Sequence, residues 1–323
     1  MGSTDPTRGC GRAAVAGALL TTALSVAACT SAPHPGRDGG VTSHSTTVDG
    51  IERTWTVYTP AREGAASRPM PVVLVIHGTG DTGDGIRSGI GPDLEETADR
   101  ENVVVAYVDG HRNNWNECRT AGDWPAKASN LDDVGLMRTV VEDIHRDLGP
   151  DTVDVDRTFA IGFSSGGSMA QRLAFEAPDL VSGIASVNAN IPVDDNLACT
   201  DSGEPVPVIF IQGREDPMNP FDGGEVVVGA GPSAESRGEV RSARDSAGWF
   251  ASCNGWPVGR TPATVRDGDA EITTWDGDHP VRLIAVEHSG HSFPTATGRW
   301  GNDGGARFDG PGAIWEFFAG LDR

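Results

Sequence analysis

Thr158-Phe-Ala-Ile-Gly-Phe-Ser-Ser-Gly-Gly-Ser-Met169 is the stretch from which the rest of the chain is read. A short β-prone run ends in Gly162-Phe163-Ser164-Ser165-Gly166, and a helix-capable run, Ser168 to Glu176, follows at once with Met169 and Leu173 four apart. A G-x-S-x-G turn from strand to helix holds its serine in a strained backbone conformation, and only residues without a Cβ fit two positions before and two after it. The pattern places the Ser164 hydroxyl at the tip of a sheet, above the N-terminus of a helix whose dipole favours negative charge. Alone, in a chain with 43 glycines, it is equally compatible with a chance loop. The order of the segments around it decides.

Pro71-Val-Val-Leu-Val-Ile-His77 and Val103 to Tyr107 are continuous apolar runs, the mark of strands buried on both faces of a parallel sheet. Arg53 to Thr59 alternates polar and apolar and stops at Pro60, as an early, partly exposed strand does. Leu131, Val134, Met137, Val141, Ile144 and Leu148 fall on one helical face, with Asn130 as N-cap, Asp132 and Asp133 in the first turn and Gly149-Pro150 as the stop. Thr158 to Ile161, Ile184 to Val187, Val208 to Ile211 and Val281 to Val286 read as further strands, and 238–251 and 311–320 as helices. Strands alternating with helices define an α/β class: a mostly parallel sheet covered by helices on both faces. There is no internal repeat, and the connections are too short for a large lid domain.

In such a sheet the loops at the strand C-termini carry the chemistry. Gly213-Arg214-Glu215-Asp216 follows one strand, Glu287-His288-Ser289-Gly290-His291 another, and Gly78-Thr79-Gly80 a third. Ser164, Asp216 and His291 therefore appear in the chain order serine, acid, histidine, which is the order of the α/β-hydrolases. A serine hydroxyl needs a base to take its proton, and the resulting imidazolium needs a carboxylate to stabilise it. Backbone N–H groups of Ser165 and Thr79 stand where donors to a tetrahedral oxyanion are required. Two pairs of alternatives are open on spacing alone: Glu215 beside Asp216, and His288 beside His291. His77 reads as a brace for the oxyanion loop. Asp267-Gly-Asp269 and Asp276-Gly-Asp278 do not complete a calcium-loop spacing and read as turns, so neither a metal nor a cofactor is expected.

Composition bounds the partners. The 323 residues suffice for one large domain, and 46 acids against 25 bases leave a net charge of −21. That balance argues against nucleic acid or an anionic membrane surface, and the chain reads as a monomer. Arg8 and Arg12 precede an uncharged stretch, Ala13 to Ala28, too short to span a bilayer but suited to the core of an export signal. It ends in Val26-Ala27-Ala28-Cys29, which resembles the bacterial lipobox, where the cysteine is diacylated on its sulfur; plain secretory cleavage after Ala28 is the alternative. Residues 1–28 are then a signal peptide, 29–48 a lipidated flexible tether poor in large apolar side chains, and 49–323 the catalytic domain. Membrane contact is expected through the lipid alone.

Pro71 to Gly80, Tyr107 to Asn116, Asp132-Asp133-Val134-Gly135, Gly162 to Gly167, Gly213 to Gly224 and Gly290-His-Ser-Phe-Pro294 together resemble the esterase/polyhydroxybutyrate depolymerase family. That family includes feruloyl and acetylxylan esterases and lipoproteins. The resemblance covers roughly residues 50 to 320. It implies an α/β-hydrolase fold and a serine carboxylesterase with Ser164, Asp216 and His291 in the triad. Family members place the acid in an Asp-Pro pair and the histidine before an aromatic-Pro pair. Thr79 departs from the usual cysteine or small residue, His288-Ser289 stand where glycines are common, and the strand around Thr273 lacks a cysteine often seen there.

Export favours a disulfide. Cys199 precedes a strand and Cys253 ends a helix, so both are expected at the edge away from the catalytic loops and paired, leaving Cys118 free. Trp115, Phe163, Phe221 and Phe293 lie beside the catalytic loops and are candidate contacts for a sugar or aromatic acyl group. The expected substrate is an ester-bearing polymer or its oligomers, whether polysaccharide ester or polyester. An α/β-hydrolase peptidase and an inactive binding lipoprotein are the rival readings.

Overall fold

The computed structural model describes residues 40–48, 50–61, 68–229, 231, 234–296 and 308–321. The expected signal peptide, Cys29 and the first part of the tether lie outside the described residues. In chain order the elements are β1 (Gly40–Val48), β2 (Ile51–Thr59), β3 (Met70–Ile76), α1 (Gly83–Glu101), β4 (Val104–Val108), α2 (Pro125–Ala128) and α3 (Asp133–Leu148). They continue with β5 (Val153–Phe163), α4 (Ser165–Glu176), β6 (Gly183–Val187), β7 (Val208–Gly213), β8 (Gly224–Val228) and β9 (Glu235–Val240). The last are α5 (Ala243–Cys253), β10 (Ala263–Asp267), β11 (Ala270–Trp275), β12 (Val281–Val286) and α6 (Gly310–Gly320).

Ten strands form one sheet in the order β1-β2-β4-β3-β5-β6-β7-β12-β11-β10. The six from β4 to β12 in that order are parallel, and β3, β4, β6 and β7 are buried along their whole length. Helices cover both faces, with α1 and α6 packed together on one and α3 and α4 on the other. The chain steps from β3 to β4 on one side and later to β5 on the other, so the sheet reverses its winding between β3 and β5. At such a switch point the loops leaving the two strands diverge and open a crevice.

Residues 40–48 correct the expected tether. They form β1, paired antiparallel with β2 from Gly40 opposite Thr59 to Val48 opposite Ile51. An edge strand takes its hydrogen bonds from one neighbour and needs little apolar surface, so the composition argument fails there. Thr and Val suit it, and His44 stacks on the buried Trp55 at 5.7 Å. The N-cap of α3 is Asp132, not Asn130: its carboxylate accepts the Gly135 N–H at 2.8 Å, whereas Asn130 turns through φ 47°. The helix expected over 238–251 begins only after Ser242, whose hydroxyl accepts the Asp245 N–H at 3.0 Å. Residues before it form β9, in a two-stranded sheet with β8.

The disulfide also differs from expectation, joining Cys118 to Cys199 with Cα atoms 4.9 Å apart, while Cys253 is exposed and free. The segment after β4 does not stay at the tip of its strand. It runs beside the segment after β6, where the Ala198 N–H donates to the Cys118 carbonyl and the Thr120 N–H to the Asn196 carbonyl, each at 2.7 Å. The bond closes a loop of 81 residues. Loop-closure entropy for that length predicts that replacing both Cys118 and Cys199 by Ala costs about 4 kcal/mol in urea unfolding, against less than about 0.5 kcal/mol for Cys253→Ser. The opposite ranking would place the crosslink elsewhere.

Candidate active site

Ser164 caps the N-terminus of α4 with φ 54° and ψ −123°, a conformation costly for a residue with a Cβ. The surroundings enforce it. A Cβ on Gly162 would lie 2.0 Å from the Gly166 carbonyl oxygen, and one on Gly166 2.1 Å from that of Ile76. The Ser164 N–H donates to the Val187 carbonyl at 2.9 Å, which fixes the turn against β6.

Asp216 and His291 reach the same point from β7 and β12. The His291 ring stands between them, with Nε2 2.9 Å from Ser164 Oγ and Nδ1 2.7 Å from Asp216 Oδ2. The Asp216 side chain is fully buried, and its other oxygen accepts the N–H groups of Met218 and Asn219 at 2.8 and 2.9 Å. The alternatives lie outside: His288 and Glu215 pair with each other at 3.1 Å on the surface, both about two-thirds exposed.

Asn188, just past β6, holds the loops together and was not legible in the sequence. Its amide donates to the Gly290 and Ser292 carbonyls at 3.2 and 2.7 Å, on either side of His291. Its carbonyl accepts the Gly213 N–H at 2.8 Å, at the start of the acid loop. One side chain thus fixes the acid and histidine loops relative to each other.

His77 is buried at the end of β3 as a neutral imidazole. Nδ1 faces the Gly78 carbonyl at 2.7 Å and Nε2 accepts the Gly110 N–H at 2.9 Å, so the ring ties the candidate oxyanion loop to the segment after β4. Trp115 completes this brace by donating its Nε1–H to the His77 carbonyl at 2.8 Å. Trp115 is wholly buried and is not a substrate contact, because its one polar atom turns inward to that carbonyl. Phe221 is likewise withdrawn, lying under the Arg214 guanidinium at 4.6 Å.

Two cavities meet at Ser164 and His291. A cleft of about 430 Å³ is lined by Gly78, Thr79, Phe163, Met218, Val228 and Phe293. Of the candidate aromatics Phe163 borders it with part of its ring exposed, whereas the Phe293 side chain is wholly buried behind it and, like Trp115, is not a substrate contact. On the other side is a slot of about 20 Å³, lined among others by Arg119, Trp124, Ser165, Asn188 and Arg237, with Thr79 at its edge too. The Ser165 amide is the first of α4 and has no carbonyl within the helix to donate to. The β8–β9 hairpin contributes Val226, Val228 and Arg237 to these walls. Among the described residues no group of His, Cys, Asp and Glu is arranged to hold a metal ion, and no helix is long and apolar enough to cross a membrane.

The comparisons agree with this architecture. The phospholipase/carboxylesterase family matches residues 132–246, which include Ser164 and Asp216. The putative esterase NocK of Nocardia uniformis is 34% identical over 189 residues, 58% of this chain, and the chain spans about half (52%) of its length. A probable feruloyl esterase C of Aspergillus niger is 26% identical over 315 residues, 93% of this chain and 97% of its own. The acetyl xylan esterase from Aspergillus awamori superposes with a TM-score of 0.59 over 87% of this chain and 99% of its own, at 15% identity, a likeness of fold. By fold the chain is an α/β-hydrolase, and by sequence it is related to esterases.

Burial holds the His77 imidazole below its ordinary pKa, against the opposing pull of the Gly78 carbonyl. The unfolded chain then takes up this proton first, near pH 6.5. Stability is full above that point and falls as the pH drops through it, by up to about 1.4 kcal/mol per unit until the folded ring titrates. Urea midpoints measured from about pH 7.5 to about pH 5.5 are expected to decline less steeply in His77→Gln. An unchanged slope would remove His77 from the account.

Proposed function

We propose that this protein is a serine carboxylesterase acting on esters carried by a polysaccharide or another polymer. The observation that supports it most is the His291 ring within hydrogen-bond distance of both Ser164 and a buried Asp216. His291 Nε2 takes the Ser164 proton as Oγ bonds to the ester carbonyl carbon. The oxyanion is held by the Thr79 and Ser165 amides. The intermediate collapses as its bond to the alcohol oxygen breaks, and His291 returns the proton to that oxygen. Water, deprotonated by the same ring, then attacks the acyl-enzyme and releases the acid and free Ser164. Asp216 holds the ring with Nδ1 protonated and stabilises its charged form.

The feruloyl and acetyl xylan esterases among its relatives and fold neighbours favour a feruloyl or acetyl ester of a polysaccharide. The 430 Å³ cleft, with Phe163 at its wall, suits contact with a sugar or aromatic ring. A polyester such as polyhydroxybutyrate is the other polymer within this reading. Hydrolysis of p-nitrophenyl acetate is expected, with kcat lowered by at least about 10³-fold in Ser164→Ala and His291→Ala and by less in Asp216→Asn. Full activity in either alanine variant would refute the assignment. Relative rates on methyl ferulate, acetylated xylan, polyhydroxybutyrate and an aminoacyl anilide then define the class.

The same proposal places the enzyme outside the cytoplasm, held to a membrane by a lipid on Cys29, as the run Val26-Ala27-Ala28-Cys29 after an uncharged segment suggests. Expressed with its leader in a bacterial host, the wild type is expected in the detergent phase on phase partitioning and Cys29→Ser in the aqueous phase. Equal partitioning would leave secretion without a lipid.

A further inference from the structure

The slot beside Ser164 carries more positive charge than hydrolysis of a neutral ester requires. Arg119 and Arg237, both almost fully buried, line it together with one carboxylate, Glu117. Both oxygens of Glu117 are engaged by Arg119, one by its Nη1 and one by its backbone N–H, each at 2.8 Å. Arg237 lies over the Trp124 ring at 4.3 Å and donates to Glu235 at 3.0 Å. That carboxylate is 70% exposed and screened by water, so it offsets little of the buried charge. The slot therefore holds two guanidinium groups against one buried carboxylate, in a chain whose net charge is −21.

The hydrogen bonding repeats the imbalance. Arg119 Nε, Arg237 Nε and Ser165 Oγ are buried without a hydrogen-bond partner among the described residues, and all three residues line this slot. Leaving a buried donor unsatisfied is costly, so such groups persist where something else completes them. The residues whose amides are the candidate oxyanion donors, Thr79 and Ser165, border the slot, so the carbonyl end of a bound ester sits at its mouth.

We propose that the slot receives a carboxylate borne by the acyl part of the substrate, with Arg119, Arg237 and Ser165 as its donors. This rests on the reading of Ser164 as the nucleophile. Within the polymer-ester reading this departs from a feruloyl or acetyl group: the preferred esters are half-esters of short dicarboxylic acids, in which one carboxyl is esterified and the other is free. A narrow slot admits a short chain, and an arginine fork matches a carboxylate.

Monomethyl and dimethyl succinate have the same backbone and differ by one charge, and methanol release measures the hydrolysis of either. Wild-type kcat/KM per ester bond is expected to favour the monomethyl ester by about tenfold or more. Arg237→Leu should bring that ratio to one or below, and Arg237→Lys should restore part of it, which a merely structural role would not do. Equal rates on the two esters in the wild type, or a ratio untouched by Arg237→Leu, would overturn the proposal. If neither ester nor p-nitrophenyl acetate is hydrolysed, the esterase reading fails, and calorimetry decides the slot separately. In Ser164→Ala, saturable binding of monomethyl succinate with none of the dimethyl ester supports a carboxylate site, and equal binding or none of either overturns it.

Discussion

Gly166 packs so tightly against the end of β3 that a methyl group in place of its hydrogen would sit 2.1 Å from the Ile76 carbonyl oxygen. That contact sets the distance between the helix that begins at Ser165 and the loop that begins at His77, and everything at the site follows from it. With the helix seated there, the turn before it has no room to relax, and Ser164 keeps a positive φ. The nucleophile candidate and the candidate oxyanion donors then share the crevice where the winding of the sheet reverses. Histidine and acid enter this frame on β12 and β7, which are adjacent and parallel. Their loops touch, because the Glu215 N–H donates to the Ser289 carbonyl at 3.0 Å and Asn188 binds both.

What the sequence made legible is what depends on one segment at a time. β3, β4, β6 and β7 are buried on both faces, so each is written as an apolar run, broken only by Ser186 in β6 and Gln212 in β7, and could be placed without knowing its neighbours. Strand ends locate the loops, and the loops carry Ser164, Asp216 and His291. What stayed hidden depends on where two segments meet. The path of the chain after β4 decides that Cys118 faces Cys199, and no local pattern encodes that path. Trp115 looks like a cleft aromatic by position, yet it spends its single donor on the His77 carbonyl. Asn188 reads as an ordinary turn residue, and its importance appears only when the acid and histidine loops are both in place. The β8–β9 hairpin is rich in glycine and short of alternation, so its strands left no clear mark.

Two of these features, the disulfide and Asn188, are mechanically joined. The disulfide fastens the segment bearing Glu117 and Arg119 to the segment that starts at Asn188. One wall of the slot is therefore tied to the residue that aligns the acid and histidine loops. The opposite wall comes from the hairpin, through Val226 and Arg237. On the proposed reading, substrate selection is divided between a covalently pinned segment and a small two-stranded insertion, while the parallel sheet holds the candidate triad.

Lys127 is the only lysine in the chain. It lies half-buried beside Trp124, with its Nζ donating to the Arg119 carbonyl, and burial draws its pKa down. More of it is uncharged at a given pH than of an ordinary surface lysine. Amine-selective labelling thus has one internal side-chain target, and a dye or surface coupled there sits against the backbone of the wall that carries Arg119.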